Sequence, residues 1–230
     1  GEPRQITKAD GSYGRPTFSP DGQNLYATFN PNTEKVYNLS RLVSIDVNGN
    51  HKVLTANFDK SIGGYAFTPD SKTIYFTSEE AGLEEIYSMS ASGGSVTQVI
   101  EQTKGVYTNL TIPSKATAPI IFVNWDSAIN PPEIFRINPT DKSQKPLTEF
   151  NKDALAKWDV EPVEHFWFTS KGGNKIHNMF VKPPKFDENK KYPLIVLMHG
   201  GPHTMWRDSW GVRWNYHLIA SPGYVVVLTN

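Results

Sequence analysis

The chain repeats itself. Phe18–Phe29 reads FSPDGQNLYATF, Phe67–Ser78 reads FTPDSKTIYFTS, and Thr111–Asn124, TIPSKATAPIIFVN, is a looser third copy. After each copy comes an alternating strand (RLVSIDV, EEIYSMS, EIFRINP), a Gly or polar turn, and a short closing strand (HKVLT, VTQVI, QKPLT). The turn within the copies follows from its residues. In Ser19-Pro20-Asp21-Gly22, proline presets φ at the second position and glycine suits the fourth, so Phe18 and Leu25-Tyr26 read as paired strands of a hairpin. Each unit of about 45 residues thus offers roughly four strands, the length and content of a propeller blade. Tandem hairpins in a β-sandwich would use the same parts, but one element order recurring three times favours a propeller. Residues 1–150 are therefore expected to form a partial β-propeller of about three blades, with Ser-Pro-Asp-Gly turns that resemble those of TolB-like repeats. Three blades do not close a ring, so the sequence predicts further blades or a larger whole.

From about Asn151 the pattern changes. Glu164–Pro184 has two alternating stretches around Lys171-Gly172-Gly173-Asn174 and reads as an antiparallel hairpin. Leu194–Met198 and Tyr224–Leu228 are continuous apolar runs, the pattern of strands buried on both faces of a parallel sheet. Between them Trp210, Trp214 and Leu218 recur at spacing four and predict one face of a helix, stopped by Pro222-Gly223. A hairpin followed by strand, loop, helix and strand is how an α/β-hydrolase sheet begins. Residues 151–230 are accordingly read as the beginning of such a domain.

The loop between those strands carries chemistry. His199-Gly200-Gly201-Pro202 stands where a parallel strand ends, the side on which open α/β sheets bind ligands. In α/β-hydrolases this loop gives one backbone N–H to the oxyanion hole, and glycine lets a substrate carbonyl approach without a Cβ in the way. Pro202 has no N–H, so Gly201 is the expected donor. Trp206, Arg207 and Trp210, with Asp208 among them, follow directly and are candidate substrate-lining residues. His199 and His203 are four apart, but Gly-Gly-Pro between them forbids the helix that would turn this spacing into a metal pair.

Composition narrows the partners. Lys plus Arg and Asp plus Glu both number 23, and no block of like charge offers a surface to nucleic acid or an anionic membrane. The opening GEPRQITKAD lacks an apolar signal region, and no apolar run is long enough to span a bilayer. Without cysteine there is neither a disulfide framework nor a thiolate metal site, while periplasmic, secreted and cytoplasmic locations all stay open.

With these residues in view, the sequence resembles the prolyl oligopeptidase family of serine peptidases, in particular its dipeptidyl-peptidase V and acylaminoacyl-peptidase branch. Lys191-Tyr192-Pro193, His199–Pro202, Arg213-Trp214-Asn215 and Gly223-Tyr224 carry the resemblance, and the upstream repeats fit it. It implies a propeller restricting access to a Ser-Asp-His hydrolase that cuts short peptides, needing no metal or organic cofactor. Some of these enzymes hold the substrate's amino terminus with an acidic pair. Glu84-Glu85 is such a pair, but it opens an ordinary blade strand and is expected at a solvated edge.

One departure is decisive. No Gly-x-Ser-x-Gly elbow occurs, so the triad is expected beyond Asn230 and the 230 residues alone are expected to be inactive. The strand Tyr224–Leu228 would also lack a neighbour on one side and helices on its faces. The remainder of the hydrolase domain, as a continuation or a separate chain, is thus an expected partner besides the peptide substrate. An acylaminoacyl-peptidase, a carboxylesterase-like hydrolase and a non-catalytic propeller binding module remain alternative readings.

Overall fold

The computed structural model describes residues 2–35, 37–201 and 203–230. Its first half is three antiparallel meanders of four strands. The first is β1 (Gly11–Phe18), β2 (Leu25–Pro31), β3 (Arg41–Ile45) and β4 (His51–Val53). The second is β5 (Tyr65–Phe67), β6 (Thr73–Glu80), β7 (Leu83–Ser90) and β8 (Thr97–Gln98). The third is β9 (Val106–Thr111), β10 (Ile121–Ser127), β11 (Asn130–Asn138) and β12 (Ser143–Pro146), joined to the second where Glu84 pairs in parallel with Val106.

The repeat is physical as well as textual. The Ser19 hydroxyl donates to Asp21 Oδ1 (2.6 Å), which also accepts the Gln23 amide (3.0 Å). The Thr68 hydroxyl and Lys72 amide reproduce this on Asp70 Oδ1 at 2.6 and 3.1 Å. These hydrogen bonds, the hydroxyl's first, hold both carboxyls below the usual aspartate range. Each turn thus satisfies its own backbone and fixes the register of the next two strands.

Period-two alternation then sends neighbouring side chains to opposite sheet faces. Tyr75 and Ile86 enter a cluster with Tyr107, Ile121, Val123 and Ile137 of the third meander. Phe76 and Tyr87, each one residue on, enter a cluster with Tyr26, Leu42 and Leu54 of the first. The second meander is therefore apolar on both faces and sandwiched between its neighbours.

After a short helix α1 (Lys152–Leu155) comes a sheet formed by β13 (Glu164–Thr169), β14 (Lys175–Val181), β15 (Leu194–Met198) and β16 (Val225–Thr229), with α2 (Tyr216–Ala220) between its last two strands. Its spatial order is β13-β14-β16-β15, antiparallel but for the parallel β15–β16 pair.

Three expectations need correction. β16 is not left without a neighbour. It inserts between β14 and β15, and α2 packs near it, with Tyr216 and Ala220 joining Val226 and Leu228 in one cluster. β15 forms the edge opposite β13, and it is not buried on both faces as its apolar run implied: Leu194, Val196 and Met198 are exposed while Ile195 and Leu197 pack inward. The helix is also shorter and differently phased than Trp210, Trp214 and Leu218 implied. The Asn215 side chain caps it by accepting the Leu218 amide (2.9 Å), which leaves Trp210 and Trp214 outside it. Its buried face is Tyr216 and Ala220, and Leu218 is 69 % exposed.

The sandwiched middle meander yields a test. Phe76→Ala should destabilise the chain by about 3–5 kcal/mol in equilibrium denaturation. Ile134→Ala, at a 40 % exposed position, should cost under about 1 kcal/mol.

Candidate active site

The parallel strand β15 delivers the chain into His199-Gly200-Gly201. Gly201 has φ +126°, a conformation side-chain-bearing residues rarely adopt, and a Cβ there would stand 3.0 Å from the amide nitrogen of His203. The Thr204 hydroxyl donates to the Gly200 carbonyl and lies 3.2 Å from His199 Nδ1, closing the loop on itself. Gly200 has open space around its Cα. Pro202 lies outside the described residues.

The next six residues are pinned from several sides. Trp206 belongs to the sheet of β13–β16: its indole N–H donates to the Leu197 carbonyl (3.1 Å) and its amide to Asn230 Oδ1 (2.6 Å). Arg207 pairs with Glu84 (2.8 Å) and Glu79 (3.0 Å) of the second meander. Asp208, 3 % exposed, accepts the Gly105 amide on one oxygen (2.7 Å) and the Ala128 amide on the other (2.8 Å). Its own amide donates to the Gly82 carbonyl (2.7 Å). The Trp210 amide donates to Asp126 Oδ1 (2.6 Å), and its indole stacks on Trp158 with centroids 5.4 Å apart.

Of the residues singled out in the sequence, Arg207 lines a cavity between the meanders. Trp206 and Trp210 pack against the sheet and Trp158, and Asp208 faces the seam rather than open space.

That cavity, of about 640 Å³, lies against the first strand of every meander, touching Arg15, Tyr65 and Asn109 as well as Glu79, Glu84 and Arg207. A second of about 580 Å³ includes His203, Met205, Tyr37 and Lys60 and shares Ser61 and Glu79 with the first. The segment that follows the glycine loop thus reaches both spaces, through His203 and Met205 in the second and Arg207 in the first.

Glu84 and Glu85 are not at a solvated edge. They are 8 % and 7 % exposed, because the Met205–Trp210 segment and the loop before β9 cover the start of β7. Glu84 accepts from the Thr77 hydroxyl (2.7 Å) as well as Arg207, and Glu85 accepts from Tyr87 (2.7 Å). Burial pushes Glu84 upward, with Thr77 and Arg207 opposing the rise. Burial also raises Asp126 to about 6, the Trp210 amide and Arg207 working against it. Asp126 drew no attention in the sequence, since an aspartate before a turn is ordinary.

On the sheet side a neutral relay supports the same segment. The Asn230 amide nitrogen donates to the Trp206 carbonyl (3.1 Å) and stands 3.0 Å from His177 Nδ1. With that nitrogen as acceptor, His177 Nε2 carries the proton and donates to His165 Nδ1 (3.0 Å). Burial and the neighbouring His165 hold His177 down at about 4. Gly82, with φ +80°, makes the closeness possible, as a Cβ there would lie 2.9 Å from His177 Cε1. Among the described residues no group of three or more His, Cys, Asp or Glu side chains could hold a metal ion.

No protein-family model matches the chain. It is similar to dipeptidyl-peptidase 5 of Porphyromonas gingivalis, at 28 % identity over 94 % of the chain and 31 % of that protein. A probable dipeptidyl-peptidase 5 of Trichophyton verrucosum is 30 % identical over 99 % of the chain and 32 % of its own length. Among solved structures, an acylaminoacyl peptidase of Pyrococcus horikoshii superposes with TM-score 0.73 at 23 % identity, covering 91 % of this chain and 31 % of that one. Dipeptidyl peptidase 4 of P. gingivalis superposes with TM-score 0.65 at 19 % identity, over 94 % and 30 %. The chain thus spans about a third of the length of these relatives.

The two displaced titrations have opposite signs. Asp126 keeps its proton to about pH 6 in the fold against 3.8 ordinarily, so its contribution to stability is complete below 3.8 and lost as pH rises through 6. His177 stays neutral down to about 4 against 6.5 ordinarily, so its contribution is present above 6.5 and lost as pH falls through 4. Asp126→Asn, which keeps an acceptor for Trp210, should raise stability at pH 7 by about 1–3 kcal/mol and change it little at pH 4. Denaturant midpoints at the two pH values measure this.

Proposed function

We propose, from the premise that this chain belongs to the prolyl oligopeptidase family of serine peptidases, that its parent protein is an exopeptidase releasing dipeptides from short peptides. In this reading residues 1–150 are three blades of a propeller and residues 151–230 begin the hydrolase domain. The nucleophilic serine, aspartate and histidine come from sequence beyond these 230 residues, which hold no Gly-x-Ser-x-Gly. Alone, they turn over no peptide.

The observation that carries the proposal is the position of Gly201. It follows the carboxyl end of a parallel strand, in a backbone conformation that requires glycine, two residues before His203, which lines the second cavity. As the serine attacks the scissile carbonyl, charge develops on its oxygen. A backbone N–H already aimed at that oxygen stabilises the tetrahedral intermediate without reorganising. The serine's proton passes to the histidine and then to the leaving amine. Arg207 presents its guanidinium to the cavity and offers hydrogen bonds to the peptide, while Trp206 and Trp210 anchor the segment that carries it, on Leu197 and Trp158. Family members of this kind need no cofactor, because triad and oxyanion hole suffice for acyl transfer.

A second reading, release of an acyl-amino acid, is favoured by the superposition on an acylaminoacyl peptidase. Assaying the whole protein with a dipeptidyl anilide, an acyl-aminoacyl anilide and a simple ester separates the two. Dominant turnover of the first supports the proposal and dominant turnover of the second supports the alternative. Preference for the ester indicates a carboxylesterase-like enzyme, and no turnover a binding module. In an active enzyme Gly201→Ala should lower kcat about 10²–10³-fold with KM little changed. Gly200→Ala, where a Cβ meets nothing within 4 Å, is the control for general damage to the loop.

A further inference from the structure

The segment after the glycine loop is held by two bodies at once. Trp206 is fixed to the hydrolase-like sheet through Leu197 and Asn230. Two residues on, Asp208 is fixed to the meanders, with Gly105 and Ala128 donating to separate carboxylate oxygens and its own amide on Gly82. Gly105 precedes β9, Ala128 lies in the turn after β10, and Gly82 forms the turn before β7. One buried carboxylate thus gathers two turns of the third meander, and the backbone amide of the same residue holds a turn of the second.

Asp126 and Glu84 stand in the same seam, and the Arg207 guanidinium is paired with Glu79 and Glu84 rather than with Asp208. Both Asp208 oxygens are instead satisfied by backbone N–H groups, which have fixed directions and do not follow a side chain that moves. Charge-assisted bonds to two rigid turns define a position more sharply than a flexible ion pair does. Gly105, at φ +81°, has no room for a side chain, since a Cβ would meet Trp125 Nε1 at 2.5 Å. The turn that receives Asp208 therefore has little freedom to adjust.

We propose that Asp208 is a positioning residue: by bridging the Gly105 and Ala128 amides it sets where the His199–Thr204 loop, and with it the Gly201 amide, stands relative to the cavity. The proposal rests on the reading of Gly201 as an oxyanion donor. A displacement of the loop by about 1 Å is enough to cost roughly 10²-fold in rate, so a residue that touches no substrate can govern kcat.

The test is a double-mutant cycle in the whole protein, read as kcat and KM on its preferred anilide, with circular dichroism and thermal melts as folding controls. Asp208→Asn should lower kcat about 10–100-fold and move KM less than about threefold. In the Gly201→Ala background the same change should lower kcat less than about threefold, because the amide it positions has already lost its function. Equal losses in both backgrounds would overturn the proposal, since a merely structural role multiplies with any other defect. If Gly201→Ala alone leaves kcat unchanged, the oxyanion reading itself fails, whatever Asp208 does. Should Asp208→Asn not fold, Asp208→Glu keeps the charge and both acceptors while lengthening the tether. The same loss of kcat, vanishing with Gly201→Ala, is expected, and an equal loss in both backgrounds again overturns the proposal.

Discussion

Everything in this molecule that resembles a site depends on the middle meander being buried on both faces. Tyr75 and Ile86 commit one face to the third meander, and Phe76 and Tyr87 commit the other to the first. Interiors packed at crystal-like density yield little, so the ends of these strands become fixed points. Glu79, Glu84 and the Gly82 turn all belong to this meander, and each meets the segment that follows the glycine loop. Polar groups with exact partners can be built on such ends because the apolar faces behind them do not move.

The seam built on those ends is unusual in its charge. Glu79, Glu84, Asp126 and Asp208 converge where Arg207 is the cation that reaches the first two. Backbone amides carry the rest: Trp210 donates to Asp126, and Gly105 and Ala128 donate to Asp208. A carboxylate satisfied by amides costs less to bury than an unpaired one, but it still gains by taking up a proton, which is why Asp126 rises. The sheet side of the seam uses Asn230, His177 and His165, whose chain of donors and acceptors needs the neutral His177 that burial favours. Acid thus loosens one flank and relieves the other.

What the sequence disclosed follows from how local each signal is. The meanders were legible because Ser19-Pro20-Asp21 and Thr68-Pro69-Asp70 write their own turn geometry within a few residues. The hairpin β13–β14 and the apolar runs were legible for the same reason. Strand order was not, because nothing within Val225–Thr229 says that it lies between β14 and β15. Helix phase failed because the Asn215 cap outweighed the spacing of Trp210, Trp214 and Leu218. Glu84-Glu85 read as solvent-facing because the covering segment lies more than a hundred residues away in the chain. The glycine loop could be placed from its strand and its residues, whereas Asp208 became visible as a clasp only once the Gly105 and Ala128 amides were known to face it.

The insertion of β16 between β14 and β15 also governs the order of assembly. The ribosome delivers β15 before β16, yet β15 has no native partner among the earlier strands. Until β16 arrives, the free edge of β14 and the apolar run Leu194–Met198 are both exposed and close in sequence. The sheet closes only when β16 pairs with both, a contact less local than the hairpins of the meanders. The topology that places the glycine loop at the end of β15 therefore also makes closure of this sheet depend on β16, the fourth of its strands along the chain.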